Sequence, residues 1–146
     1  MRVLSIPFIT RKALAGSSPA EIDRVFDGMG HPAGTVKGEL LELVIASRAL
    51  PGYVDGFGSL LRSATGLWGR RVRASADQLA GLRHPTLLIW GSHDTHGPVS
   101  TGRRMVATMP DARLEVCGTG HLPWLDDAAA CAALVREFLA PQFDRT

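Results

Sequence analysis

Cysteine is scarce in this sequence, aromatic residues are few, and neither sign of charge prevails. Only two cysteines, Cys117 and Cys131, occur among 146 residues. They form no C-x-x-C pair and are too few for a disulfide framework. Each stands among apolar neighbours, so both are expected as buried thiols, in keeping with a reducing cytosol and a cytoplasmic protein. The net charge of +2 is too small by itself to imply a nucleic-acid or membrane partner. The tightest basic cluster, Arg70, Arg71 and Arg73 beside Trp68, reads as a solvated face. No apolar run is long enough to cross a bilayer. The segment Met1–Ile9 is mildly apolar, but Pro7 breaks it and no small-residue cleavage site follows. It reads poorly as a signal peptide.

What is present suits one modest domain with a real core. Hydrophobic residues make up 45% and charged residues 21%, ordinary values for a globular protein. The organisation changes near residue 84: helical signals precede it, and strand and helix alternate after it. Ser18-Pro19-Ala20-Glu21 announces a first helix, with Ser18 as cap, Pro19 at the first position and Glu21 completing a capping box. Ile22, Val25, Phe26 and Met29 form its apolar stripe, and Gly28, Gly30 and Pro32 end it. A second helix is expected from Val36 to Ala49, with Leu40, Leu41, Val44 and Ile45 on its apolar side. A third carries Tyr53, Phe57, Leu60, Leu61 and Ala64, weakened by Gly56 and Gly58. Leu79 and Leu82 anchor a short helix in an otherwise poor stretch.

Then the period changes. Pro85-Thr86-Leu87-Leu88-Ile89-Trp90 is a continuous apolar run closed by Gly91, which reads as a parallel strand buried on both faces. Pro98 opens a helix with Val99, Met105, Val106 and Met109, ended by Pro110-Asp111. Arg113-Leu114-Glu115-Val116-Cys117 alternates as a half-buried strand does. Gly118 and Gly120 mark a tight loop. The last helix shows Cys131, Leu134, Val135, Phe138 and Leu139 on one face. Asp126 and Asp127 stand before it, where the helix dipole favours negative charge. The order β-α-β-α, with short loops and right-handed crossovers, makes residues 79–146 a piece of an open, mostly parallel α/β sheet.

In such sheets chemistry sits at the carboxyl ends of the strands. Asp94 lies just past the first strand and His121 just past the second, 27 positions apart. Both therefore emerge on one rim, on adjacent strands. A carboxylate there can accept the imidazole Nδ1–H, fix its tautomer and stabilise the imidazolium. His121 can then take a proton from a nucleophile or water.

The run from Pro85 through Gly91-Ser92-His93-Asp94 resembles the strand and acid loop of the α/β-hydrolase fold family. Gly118-Thr119-Gly120-His121-Leu122-Pro123-Trp124-Leu125-Asp126 resembles that family's histidine loop, and Val135-Arg136-Glu137-Phe138-Leu139 its closing helix. The resemblance covers roughly residues 79–140 and agrees with the family's acid-then-histidine order. Residues 11–78 resemble the helical cap that the family inserts over its active site. The implied fold is α/β: two parallel strands with flanking helices, the C-terminal portion of an α/β-hydrolase sheet, preceded by an all-helical cap. The implied division is a cap or lid region over 1–78 and a core portion over 79–146.

The departure lies at the nucleophile. None of the serines (Ser5, Ser17, Ser18, Ser47, Ser59, Ser63, Ser75, Ser92 and Ser100) has glycines at both −2 and +2. Gly58-Ser59 is the nearest look-alike, and it lies in a helical pattern. The oxyanion-hole donors that accompany the elbow are missing with it. The resemblance implies ester or related acyl hydrolysis through a nucleophile–Asp–His triad whose nucleophile is not in this chain, on a small apolar ester-like substrate, with no cofactor. The chain alone is expected to be inactive and to be truncated. The alternative is a catalytically inactive fragment that acts as an interaction module or is complemented by an N-terminal half. An open sheet edge favours self-association.

Blander readings stand beside these. Asp94 is an ordinary turn residue if His121 is ignored. His93 and His96 flank Asp94, yet their spacing fits no familiar zinc pattern, so no metal is expected. Trp90 and Trp124 read first as packing residues. Trp124 and His96 are retained as candidates for touching substrate.

Overall fold

The computed structural model of the chain describes residues 16–66, 69–70 and 74–143. The N-terminal segment compared above with a signal peptide lies outside these residues, as do Trp68, Arg71 and Arg73 of the basic cluster. The chain divides into two compact units. One comprises the described residues up to Val25 together with those from Val36 to Arg70. The other comprises Phe26–Thr35 and the described residues from Ala74 onward.

The first unit is helical with one short exception. Helix α1 (Pro19–Asp27) starts on the expected capping box. The Ser18 hydroxyl accepts the Glu21 amide at 3.3 Å, and Glu21 Oε2 accepts the Ser18 amide at 3.1 Å. The hydrogen bonds from Ser18 hold the Glu21 carboxyl below its usual range. Ile22, on the apolar stripe, is fully buried. Helices α2 (Gly38–Arg48) and α3 (Tyr53–Ala64) follow. α3 runs through Gly56 and Gly58 despite their low propensity. Tyr53 and Phe57 stack along it, with centroids 5.8 Å apart. In α2, Leu40, Leu41, Val44 and Ile45 are half-buried. Arg48 is buried and donates to the Gly16 carbonyl. Strands β1 (Thr65–Gly66) and β2 (Gly69–Arg70) pair antiparallel. The region is therefore not all-helical. Two-residue strands are too short for any apolar period to announce them.

The second unit carries the sheet. Helix α4 (Ala76–Ala80) opens on a capping box between Ser75 and Gln78. Strand β3 (Thr86–Trp90) pairs in parallel with β4 (Ala112–Val116), in register from Thr86 with Ala112 to Trp90 with Val116. Helix α5 (Val99–Val106) forms the crossover between them. The loops after the strands continue the ladder, since Cys117, Ser92 and His93 donate their amides to the carbonyls of Trp90, Gly118 and Thr119. Helix α6 (Pro123–Asp126) was not expected; Pro123 at its start pre-sets a single turn. Helix α7 (Ala128–Phe143) closes the unit.

Alternation along β4 sends Arg113 and Leu114 to opposite faces. A Cβ on Gly102 of α5 would lie 2.9 Å from Trp90 and 3.0 Å from Leu114, so α5 approaches closely on that face. Arg113 reaches α7 instead: Nη1 meets Glu137 Oε1 at 2.9 Å, and the guanidinium stands 5.7 Å from the Phe138 ring centroid. Helices thus cover both faces of the strand pair. Every residue of β3 is nevertheless half-buried, not fully buried as its continuous apolar run suggested. Among the described residues β3 has one strand neighbour, on β4, and a two-stranded sheet leaves its strands partly open.

Candidate active site

Asp94 and His121 meet at the carboxyl ends of β3 and β4. His121 Nδ1 lies 2.9 Å from Asp94 Oδ2. The second carboxylate oxygen, Oδ1, accepts the backbone N–H of His96 at 2.7 Å. Local turn chemistry thus fixes the acid, and both of its oxygens are engaged. The Asp94 side chain is only 6% exposed, whereas that of His121 is 41% exposed. One edge of the imidazole therefore faces the buried carboxylate while the ring itself remains accessible. An ionised Asp accepts and cannot donate, so His121 carries its proton on Nδ1 and Nε2 is the basic nitrogen. This is the arrangement in which an imidazole can take a proton.

His96, singled out from the sequence, belongs to this cluster. Its ring stacks on that of His121, with centroids 4.2 Å apart and planes 15° apart. Asp94, His96 and His121 each offer one ligand atom within 4.8 Å of the others. Imidazole lone pairs lie in the ring plane, so those of two near-parallel stacked rings run side by side and do not converge on one ion. The geometry suits an acid orienting an imidazole better than a metal cage. Trp124, the other candidate, lies on α6 and is 54% exposed. It is not the core residue that packing preference suggested. Trp90 does pack, and its indole N–H donates to the Gly97 carbonyl at 2.8 Å.

The loop that presents His121 is held by two residues that received no role at this site from the sequence. His31 lies just past α1 and its side chain is fully buried. Its Nδ1 is 2.8 Å from Asp126 Oδ1, and its Nε2 accepts the Leu122 amide at 3.2 Å. Asp126 Oδ2 takes three further donors: the Thr119 amide at 2.8 Å, the Thr119 hydroxyl at 2.7 Å and the Gly120 amide at 2.8 Å. The His121 amide donates to the Met29 carbonyl at 3.0 Å. Burial by itself pushes the Asp126 carboxyl up. The hydrogen bonds from His31, Gly120 and Thr119 outweigh it and hold the group well below the usual carboxylate range.

Asp126 therefore does not serve the α7 dipole, as its place before that helix had suggested. It closes α6 and turns back into the loop. Asp127 does cap α7, accepting the Ala130 amide at 2.9 Å. Two glycines make the loop feasible. Gly118 has φ +66°, and a Cβ there would fall 2.6 Å from the Pro123 carbonyl oxygen. Gly120 lies so close to the His31 ring that a Cβ would overlap it.

Cys117 and Cys131 are free and buried, as the sequence led us to expect. The Cys131 thiol donates to Cys117 Sγ at 3.3 Å. Burial first, then the neighbouring Cys117 and the carboxylates of Asp127 and Asp126, push Cys131 up to about 11. It is a protonated, poorly nucleophilic thiol near neutrality. Ser59, the nearest look-alike of an elbow serine, sits inside α3.

The chain is 30% identical over 131 residues to the 2-hydroxymuconate semialdehyde hydrolase of Pseudomonas sp. (strain CF600), an alignment covering 88% of this chain and 46% of that protein. It is 27% identical over 120 residues to a 2-hydroxy-6-oxo-2,4-heptadienoate hydrolase of Pseudomonas putida, covering 82% and 44%. Its structure resembles that of a meta-cleavage product hydrolase of Pseudomonas fluorescens IP01, with a TM-score of 0.69, 24% identity, and coverage of 86% of this chain and 46% of the other. The chain spans about half the length of these relatives. No protein-family model matches it. Among the described residues, no helix is long and apolar enough to cross a membrane. The parallel strand pair with its flanking helices and the likeness to the structural neighbour together show that this chain has the fold of the C-terminal part of an α/β-hydrolase.

Proposed function

We propose that this chain supplies the acid and the base of an acyl-bond hydrolase. His121 Nε2 takes the proton of a nucleophile as that nucleophile adds to a substrate carbonyl, and then returns it to the leaving group. A water molecule, deprotonated by the same nitrogen, releases the acyl product. Asp94 holds the Nδ1–H tautomer and stabilises the imidazolium formed in each half-reaction. The nucleophile and the oxyanion donors come from outside these 146 residues. The observation that carries the reading is the 2.9 Å contact between a buried Asp94 and an accessible His121. The substrate we propose is a small apolar ester or a related acyl compound. The relatives named for 2-hydroxymuconate semialdehyde and 2-hydroxy-6-oxo-2,4-heptadienoate add oxo acids to the compounds to be tried. Two free thiols suit the cytoplasm as the compartment.

The test is hydrolysis of a chromogenic ester and of those oxo acids. It uses the purified chain and the form in which source cells hold it, with the intact mass of that form measured. The chain alone is expected to show no His121-dependent turnover. The form carrying a nucleophile is expected to hydrolyse at least one substrate and to lose activity with His121→Ala. Turnover that survives both His121→Ala and Asp94→Asn would overturn the assignment.

A second reading is favoured by one observation. Among the described residues only one edge of β3 is paired, and Val116, Trp124 and Val135 in the same unit are exposed. Under this reading the chain is an interaction module, joined along that edge to a second copy or to a complementing N-terminal half.

A further inference from the structure

We infer that His31 and Asp126 are positioning residues for His121, a buried imidazole–carboxylate pair that fixes the loop from which the base emerges. The inference rests on the reading of His121 as the base.

Backbone amides can only donate. Because the Leu122 amide points at His31 Nε2, that nitrogen is the acceptor and carries no proton. The proton of a neutral ring is then on Nδ1, which donates to Asp126 Oδ1 at 2.8 Å. His31 is thus held as a single neutral tautomer by an amide on one side and a carboxylate on the other. Asp126 in turn binds the amides of Thr119 and Gly120. The Met29 carbonyl, two residues before His31, binds the amide of His121. All four successive amides from Thr119 to Leu122 are accounted for, three of them through this pair. The side chains of His31 and Asp126 are buried, so an amide of this part-buried loop that loses either acceptor has little water to replace it.

The consequence reaches the site through the backbone. His121 leaves a loop whose amides are pinned before, at and after it, so its ring is delivered to Asp94 without a search through loop conformations. Orientation to within a fraction of an ångström is what a proton-transferring pair requires. Neither His31 nor Asp126 touches the reacting atoms. Their effect is on how fully His121 occupies the one tautomer that leaves Nε2 basic.

The experiment reads that tautomer. Long-range proton–nitrogen NMR spectra of the 15N-labelled chain at pH 8, where a histidine ring is ordinarily neutral, report which nitrogen carries the proton. The His121 signals are assigned by their loss in His121→Ala. Wild type is expected to show His121 as the Nδ1–H form alone. His31→Leu and Asp126→Asn are expected to show both tautomers, with the amides of Thr119, Gly120 and Leu122 exchanging at least about tenfold faster. His31→Gln, which keeps a donor and an acceptor on one side chain, is expected to restore the single tautomer. A single tautomer persisting in folded His31→Leu and Asp126→Asn would overturn the inference. A wild-type His121 in the Nε2–H form would instead sink the acid–base reading beneath it, so the two failures are distinct. If His31→Leu does not fold, Asp126→Asn and Thr119→Val carry the test with the His31 ring left in place, and an unchanged tautomer in both overturns the proposal.

Discussion

Asp94 holds His121 at 2.9 Å through one carboxylate oxygen while its other oxygen binds the amide two residues further on. The acid is thereby locked by its own loop before it engages the histidine. Asp94→Asn preserves size but presents an amide or a weaker acceptor to Nδ1. In the form that carries a nucleophile, kcat should fall by roughly three to four orders of magnitude, with KM little changed. Steady-state kinetics of Asp94→Asn beside wild type checks this; a loss under tenfold would show that the carboxylate does not orient the base.

Asp126 predicts an acid limb of stability. The hydrogen bonds from His31, Gly120 and Thr119 hold its carboxyl well below the usual carboxylate range. A group depressed in the folded state contributes its full stability above its unfolded value. That contribution is lost as pH falls through the carboxylate range toward the folded value. Asp126→Asn should therefore cost on the order of 2 kcal/mol at neutral pH, where it loses charge-assisted hydrogen bonds. The difference from wild type should shrink once pH falls below about 5. Urea unfolding of both proteins across pH 7 to pH 3 measures it. A gap that stays constant to pH 3 would count against a low Asp126.

Two glycine substitutions should act in opposite directions. Gly120→Ala places a methyl group against the His31 ring and should destabilise by about 1–3 kcal/mol. Gly56→Ala, inside α3 with open space where its Cβ would go, should stabilise by about 0.5–1 kcal/mol through its helix propensity. Thermal melts of the pair settle both signs.

The thiols should be inert in the folded chain. Cys117 and Cys131 are buried, and Cys131 is pushed up to about 11. Reaction with a thiol-specific disulfide reagent at pH 7 is expected to be slow in buffer and rapid in denaturant. Fast labelling of the native chain would mean that the region between β4 and α7 opens readily.

The half-open strand pair should promote association. Sedimentation of the chain over a range of concentrations is expected to show species heavier than 15.6 kDa that dissociate on dilution. A sharp monomer throughout would argue that the β3 edge is closed in solution.

Much of the second unit was legible in the sequence. The apolar run Pro85–Trp90, ended by Gly91, marked β3, alternation marked β4, and the rim rule for parallel strands put Asp94 and His121 together. Helix starts were equally plain at Ser18-Pro19-Ala20-Glu21, because a cap is a local hydrogen-bond pattern. The partnership of His31 with Asp126 was not legible, since the two lie 95 positions apart. His31 sits in a Gly-His-Pro stretch that reads only as the end of a helix. The single clue was that Asp126 falls within the Gly118–Asp126 block that resembles the family's histidine loop. The exposure of Trp124 and the β1–β2 pair gave no signal at all.

By itself the sequence determined the succession of β3, α5, β4 and α7, the parallel pairing and the shared rim of the acid and the base. Each of these follows from local periodicity and from glycines that end strands. Only the tertiary structure decided which way Asp126 turns, which nitrogen of His31 carries the proton, and how firmly the His121 loop is held. Those depend on a buried ring brought from the end of α1 to a loop some ninety residues later. A hydrogen bond gains its strength and its direction from the burial around it, and that burial exists only once the chain has folded.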